Sequence, residues 1–168
     1  MKNYAKMIGY WLLAEVLTLF INLTLAVSDN ALLRIVCAVC TVGILLALMV
    51  QGGYSGAKSD KKAHREFSVL RTLSLGAAGA LVPLLFTAGL LAARLAGAVE
   101  SFYRIYKLMC APFLPVCNLM CADVLTSSVP MGEIAVLFVL SLLPIPAAYI
   151  AYDMTWKDKT PEDAMLTR

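Results

Sequence analysis

Few residues in this chain have the chemistry to act on a substrate, and they fall into three groups. Glu15 lies inside the otherwise apolar run from Gly9 to Val27. A carboxylate at membrane depth is costly, so it should face other helices or carry a proton. It is a candidate ion or proton site near the cytoplasmic side; the alternatives are a structural hydrogen bond to another helix and a group that reaches the interface about two turns from the cytoplasmic end. The second group is the cysteines. Cys37-Ala38-Val39-Cys40 has the spacing of a redox pair, and Cys110, Cys117 and Cys121 follow in a later segment. A thiolate that reaches a disulfide can exchange with it, but a thiol buried in an apolar helix resists ionisation and packs as a small hydrophobe. The third group is Pro144 and Pro146, which interrupt the last apolar run. Carbonyls freed at such a break can line a cavity, although membrane helices also carry proline for packing alone.

The motifs of soluble catalysis are missing. His64 is the single histidine and sits in a charged stretch. There is no His-Glu-x-x-His zinc motif and no phosphate-binding Gly-rich loop ending in Lys-Ser/Thr. Gly53-Tyr54-Ser55-Gly56 falls one residue short of a nucleophile elbow and has no sheet to hold it. Asn22-Leu23-Thr24 fits a glycosylation pattern but lies within an apolar run. No catalytic residue, cofactor or metal is expected.

Composition explains the scarcity. Of 168 residues, 61% are hydrophobic and 15% charged, with a mean hydropathy of +0.80. Soluble domains are about 45–50% apolar and about 25% charged, and excess apolar surface left in water aggregates. A soluble enzyme, a nucleic-acid-binding module and a disordered chain are all excluded as classes. Charge-free runs mark the spans: Ile35 to Ala57, Thr72 to Ala93 and Ile134 to Tyr152, each close to the roughly 20 residues needed to cross a bilayer. The expected fold is all-α, a bundle of four transmembrane helices over about 8–27, 31–51, 72–97 and 130–152. The first run is too long for a signal peptide and contains Glu15, although Ala26-Val27-Ser28 resembles a cleavage site.

Local signals place the connections. Ser28-Asp29-Asn30 reads as a tight turn, which makes the first two helices a hairpin. Gly52, Gly53 and Gly56 should end the second helix and open a basic loop over 52–71. That loop should set topology and touch anionic headgroups, with a docking surface for a soluble partner as the alternative. Gly89, Ala93 and Gly97 form a small-residue stripe that should pack closely on another helix, either Gly43 and Ala47 of the second span or a second copy of the chain. Pro83 should bend the third span. The segment 98–128 should be interfacial. Within it a helix from Ala98 to Met109 turns Val99, Phe102, Tyr103, Tyr106 and Met109 inward and Glu100, Arg104 and Lys107 outward, lying flat on the membrane. Leu108 to Ala122 should then fold against the bundle.

Basic residues prefer the cytoplasmic side. An inside amino terminus puts Lys2, Lys6, Lys58, Lys61, Lys62, Arg65, Arg71, Lys157, Lys159 and Arg168 in the cytoplasm and only Arg34, Arg94, Arg104 and Lys107 outside. The expected location is a bacterial cytoplasmic membrane with both termini inside. Expected partners are the lipid bilayer and either another membrane protein or further copies of this chain, with no nucleic acid.

Two resemblances follow from these residues. A Cys-x-x-Cys at the outer start of the second of four spans, with Cys110, Cys117 and Cys121 in the second outer loop, resembles the layout of quinone-linked disulfide-forming membrane oxidases. That family carries an arginine about one turn after the pair, whereas Thr41-Val42-Gly43-Ile44 follows Cys40 here. The Gly-rich charged stretch 52–71, the Gly/Pro third span, Phe102-Tyr103-Arg104-x-Tyr106 and the closing Pro-x-Pro span with Tyr149 and Tyr152 resemble small four-span bacterial membrane proteins with no assigned activity. The second resemblance implies a topology and no substrate. The expected function is a non-enzymatic membrane component or accessory subunit. The alternatives are a small transporter or channel subunit using Glu15 and the Pro-broken fourth helix, and a thiol–disulfide oxidoreductase using Cys37 and Cys40.

Overall fold

The computed structural model describes residues 2–25, 31–97, 99–121, 123 and 125–157. The Ser28-Asp29-Asn30 turn, the cleavage-like Ala26-Val27-Ser28, Ala98, Lys159 and Arg168 lie outside them. The described residues form α1 (Lys2–Leu25), α2 (Ala31–Lys62), α3 (Val69–Ala96), α4 (Phe102–Met109), α5 (Leu114–Met120), α6 (Met131–Leu142) and α7 (Pro144–Trp156), with 3-10 turns at Ala111–Phe113 and Thr126–Ser128. Four stretches are long and apolar enough to cross a membrane: Asn3–Thr24, Leu32–Lys62, Val69–Ala96 and Met131–Trp156. The fold is an all-α four-helix bundle with a short amphipathic helix between the third and fourth spans.

The helices close a ring. α2 packs on α1 and α7, and α3 packs on α7, α1 and α6, while α5 occupies the flank of α2. One end of the bundle, here called basal, gathers the start of α1, the end of α2, the start of α3 and the end of α7. There Tyr4 and Ser74 hydroxyls meet at 2.9 Å and Phe67 packs on the rings of Tyr152 and Trp156. The opposite, apical end carries α4 and α5. The core is aromatic and tight: Trp11, Tyr103, Tyr106, Phe113 and Tyr152 are buried, with Leu45, Met49, Leu90 and Leu137 between them. Leu12, Phe20, Val39, Leu85 and Val139 point away from it, as side chains facing lipid do.

Three expectations about elements need correction. Gly52, Gly53 and Gly56 do not end α2, which runs unbroken to Lys62. They are instead its closest packing points: a Cβ on Gly53 would strike the Ala148 carbonyl, and one on Gly56 would come within 2.6 Å of Leu75. Glycine is cheap in a membrane helix when it lets backbones approach. The basic loop accordingly shrinks to residues 63–68. The small-residue stripe of α3 also divides. Gly76 lies so close to Ile145 that a Cβ would come within 2.9 Å of its Cα, and Gly89 faces the ring of Phe102. Gly97 is the left-handed cap of α3 (φ 61°), its N–H bonded to the Ala93 carbonyl at 3.1 Å. Gly43 and Ala47 are exposed, and nothing lies within 4 Å of a Cβ built on Gly43. α3 therefore approaches α7 and α4 by way of its glycines, because these elements, and not the Gly43 face of α2, flank it in the ring.

The third correction concerns α4. Its inward face is Tyr103, Tyr106, Lys107 and Cys110, whereas Val99 and Met109 are exposed; Glu100 and Arg104 do point outward. The Tyr106 hydroxyl meets Thr87 Oγ1 at 3.3 Å, about 14 Å below the end of α3 at 1.5 Å per residue. α4 therefore turns its tyrosines onto α3 inside the bundle. Buried tyrosines need partners for their hydroxyls, and the interior supplies them.

Candidate functional site

The apical half of the bundle encloses a turn that breaks helical hydrogen bonding. Pro112 has no N–H, the Ala111 N–H opens the 3-10 turn Ala111–Phe113 without a backbone partner, and the Ala111 carbonyl, which takes the Leu114 N–H, has a second lone pair to fill. In an apolar interior each such group costs several kcal/mol. Three side chains supply the bonds. Glu15 Oε1 accepts the Ala111 N–H at 2.9 Å, Asn22 Nδ2 donates to the Ala111 carbonyl at 2.8 Å, and Thr41 Oγ1 donates to the Pro112 carbonyl at 2.9 Å. Phe113 then packs on Trp11, ring centroids 6.1 Å apart. Glu15 lies about 15 Å from the end of α1, so the turn reaches deep between α1 and α2. Residues 108–121 fold against the bundle, and Glu15 is one of their anchors.

A second polar cluster lies between α4 and α6. The Tyr103 hydroxyl donates to Glu133 Oε1. Lys107 Nζ stands 4.5 Å from the Tyr103 ring centroid and donates to the carbonyls of Cys121 at 3.0 Å and Asp123 at 2.9 Å. Burial pulls the Lys107 ammonium below its ordinary range, a cost that the two carbonyls and the aromatic face offset. Lys107 was expected on the outward face; amphipathic spacing could not show that the carbonyls it needs lie inside. Tyr103, Lys107 and Glu133 are all buried. The second carboxylate oxygens of Glu15 and Glu133 have no hydrogen-bond partner among the described residues. Between the two clusters, Thr87 Oγ1 donates to the Pro83 carbonyl one turn back at 2.7 Å and meets Ser141 Oγ at 3.0 Å.

The cysteines are divided among different surroundings. Cys37 is buried, its thiol directed at Asn22 Oδ1 at 3.4 Å, while Cys40 is exposed on another face of α2. Cys110 and Cys117 are buried and Cys121 half-buried; all five are free thiols. Burial, reinforced by the nearby Glu133 carboxylate, pushes the Cys117 thiol up to about 12, which removes the nucleophilic thiolate at neutral pH. Pro144 is buried beside Gly79, and Pro146 is exposed. Leu143 keeps helical angles (φ −54°, ψ −33°), so Pro144 interrupts the hydrogen-bond ladder without unwinding the chain.

The basal end holds a third cluster, which sequence reasoning did not single out. Asp60 is 2% exposed. It accepts two bonds from Arg71, at 2.7 and 2.9 Å, and one from the Tyr152 hydroxyl at 3.0 Å, with Arg65 at 3.4 Å. This bidentate pair ties α2, α3 and α7 together. A signal was available for two of the anchors: Glu15 and Asn22 recur with Thr18 every three to four residues on the Trp11 face of α1, a polar stripe along a helix of a membrane bundle. Nothing comparable marked Asp60, whose partners lie 11 and 92 positions away. No protein-family model, no curated protein and no solved structure matches this chain.

Proposed function

We propose that this chain is a non-enzymatic, multi-pass component of a bacterial cytoplasmic membrane, with both termini inside, working as an accessory subunit of a larger membrane assembly. One observation carries the reading: Glu15, Asn22 and Thr41, the polar groups best placed for chemistry in α1 and α2, are committed to the backbone of the Ala111–Pro112 turn. Their role is to let an irregular segment sit inside an apolar bundle. Aromatic side chains fill the space around it, as Trp11, Tyr106 and Phe113 are fully or almost fully buried. The thiol chemistry expected of Cys37 and Cys40 has less support, since one is engaged by Asn22 and the other faces outward.

The second reading, a small transporter or channel subunit, draws on the carboxylate oxygens of Glu15 and Glu133 that have no hydrogen-bond partner among the described residues. Affinity purification in a mild detergent separates the two, combined with proton and cation flux across liposomes holding the purified chain. An accessory subunit brings a stoichiometric membrane partner and conducts nothing alone. A chain that purifies as a self-assembled species and supports flux removes the accessory reading in favour of transport.

A further inference from the structure

The basal surface is sorted by charge in a way the linear sequence hides. Lys58, Asp60, Lys61, Lys62, Arg65, Glu66 and Arg71 read as a mixed run, yet Asp60 is withdrawn into the bundle and holds Arg71 in a bidentate pair. Lys58, Lys62 and Arg65 remain exposed, joined at the same end by Lys6 and Lys157. Among the described side chains this end has seven basic groups (Lys6, Lys58, Lys61, Lys62, Arg65, Arg71, Lys157) against three acidic (Asp60, Glu66, Asp153). The apical end has four (Arg34, Arg94, Arg104, Lys107) against three (Glu100, Asp123, Glu133).

The exposed cations are also aligned with apolar surface. Val50, Tyr54, Lys58 and Lys62 follow at four-residue steps along one outward face of α2, and all four are exposed. The Lys58 ammonium lies 4.8 Å from the Tyr54 ring centroid, and Lys61 lies 6.0 Å from that of Trp156. Read from the middle of the helix to its end, the face runs aliphatic, aromatic, cationic. That is the order in which a phospholipid presents acyl chain, glycerol and phosphate. We propose that this face of α2 is a binding site for an anionic phospholipid, its phosphate held by Lys58 and Lys62 and its acyl chain lying along Tyr54 and Val50. A soluble phosphate would use the cations alone and leave the aromatic and aliphatic steps without a role. The proposal is independent of the accessory-subunit reading.

The full chain, purified in an uncharged detergent, tests it. Phosphatidylglycerol and phosphatidylcholine are titrated separately, each carrying brominated acyl chains that quench Trp156. The native chain should bind phosphatidylglycerol more tightly, and added salt should erode the preference. Each lysine near an anionic surface contributes about fivefold, so the Lys58→Gln/Lys62→Gln variant should lose roughly tenfold or more of that preference. Arg104→Gln, exposed at the apical end, should keep it. Equal affinity for the two lipids, or a preference unchanged in the double variant, overturns the proposal. So does displacement of phosphatidylglycerol by inorganic phosphate at an equal phosphate concentration, which would make this a soluble-anion site.

Discussion

Glu15 does its work through one atom. Its Oε1 accepts a backbone N–H from a segment 96 positions away, so what the fold requires there is an acceptor, and a negative charge is secondary. Glu15→Gln keeps a carbonyl oxygen in that place and should unfold in detergent at nearly the native denaturant concentration. Glu15→Ala leaves the Ala111 N–H unpaired in an apolar interior and should cost about 1–3 kcal/mol. Denaturant titrations of the two variants side by side read the difference. A Gln variant as damaged as the Ala variant would mean that the charge itself matters, which favours an ion or proton site. The same logic covers Lys107, whose position depends on two carbonyls and an aromatic face and on no carboxylate within salt-bridge distance among the described residues.

At the scale of elements, glycine decides which helices touch. Gly53 of α2 meets the Ala148 backbone of α7, and Gly76 of α3 meets the Ile145 backbone from the other side. α7 is thereby held between two helices that scarcely contact each other. Gly53→Ala puts a methyl group against a carbonyl that cannot move alone, and overpacking of this kind costs about 1–3 kcal/mol. Gly43→Ala on the same helix meets open space and should be neutral or stabilising by up to about 1 kcal/mol from helix propensity. Thermal unfolding of the pair in one detergent checks both. A destabilised Gly43→Ala variant would show that the Gly43 face is covered by something the isolated chain does not contain.

For the whole molecule, the charge asymmetry between the ends is the basis of the proposed orientation. Ser68, exposed at the basal end, and Ser127, exposed at the apical end, are suited to report it. In a chain stripped of its native cysteines, Ser68→Cys should be shielded in intact cells from a membrane-impermeant thiol reagent, and Ser127→Cys should be labelled. The reverse pattern would place both termini outside and overturn the positive-inside assignment.

The sequence by itself determined the class and the four long apolar helices, because twenty apolar residues without a charge have one low-energy home and helix is the backbone state that survives there. It also marked Glu15, and put a hydroxyl at Thr87 that satisfies itself one turn back. Tertiary structure decided what these groups are for. Whether glycine ends a helix or lets it pack depends on the neighbour: Gly53 finds Ala148, Gly43 finds nothing. Amphipathic spacing cannot say whether an inward face meets lipid or protein, so the partners of Tyr103, Tyr106 and Lys107 could not be read until Glu133, Thr87 and the Cys121 and Asp123 carbonyls stood beside α4. Asp60 and Tyr152 are 92 residues apart along the chain and 3.0 Å apart in the bundle. Local periodicity spans a turn or two, and pairings at that separation are fixed only when the helices close their ring.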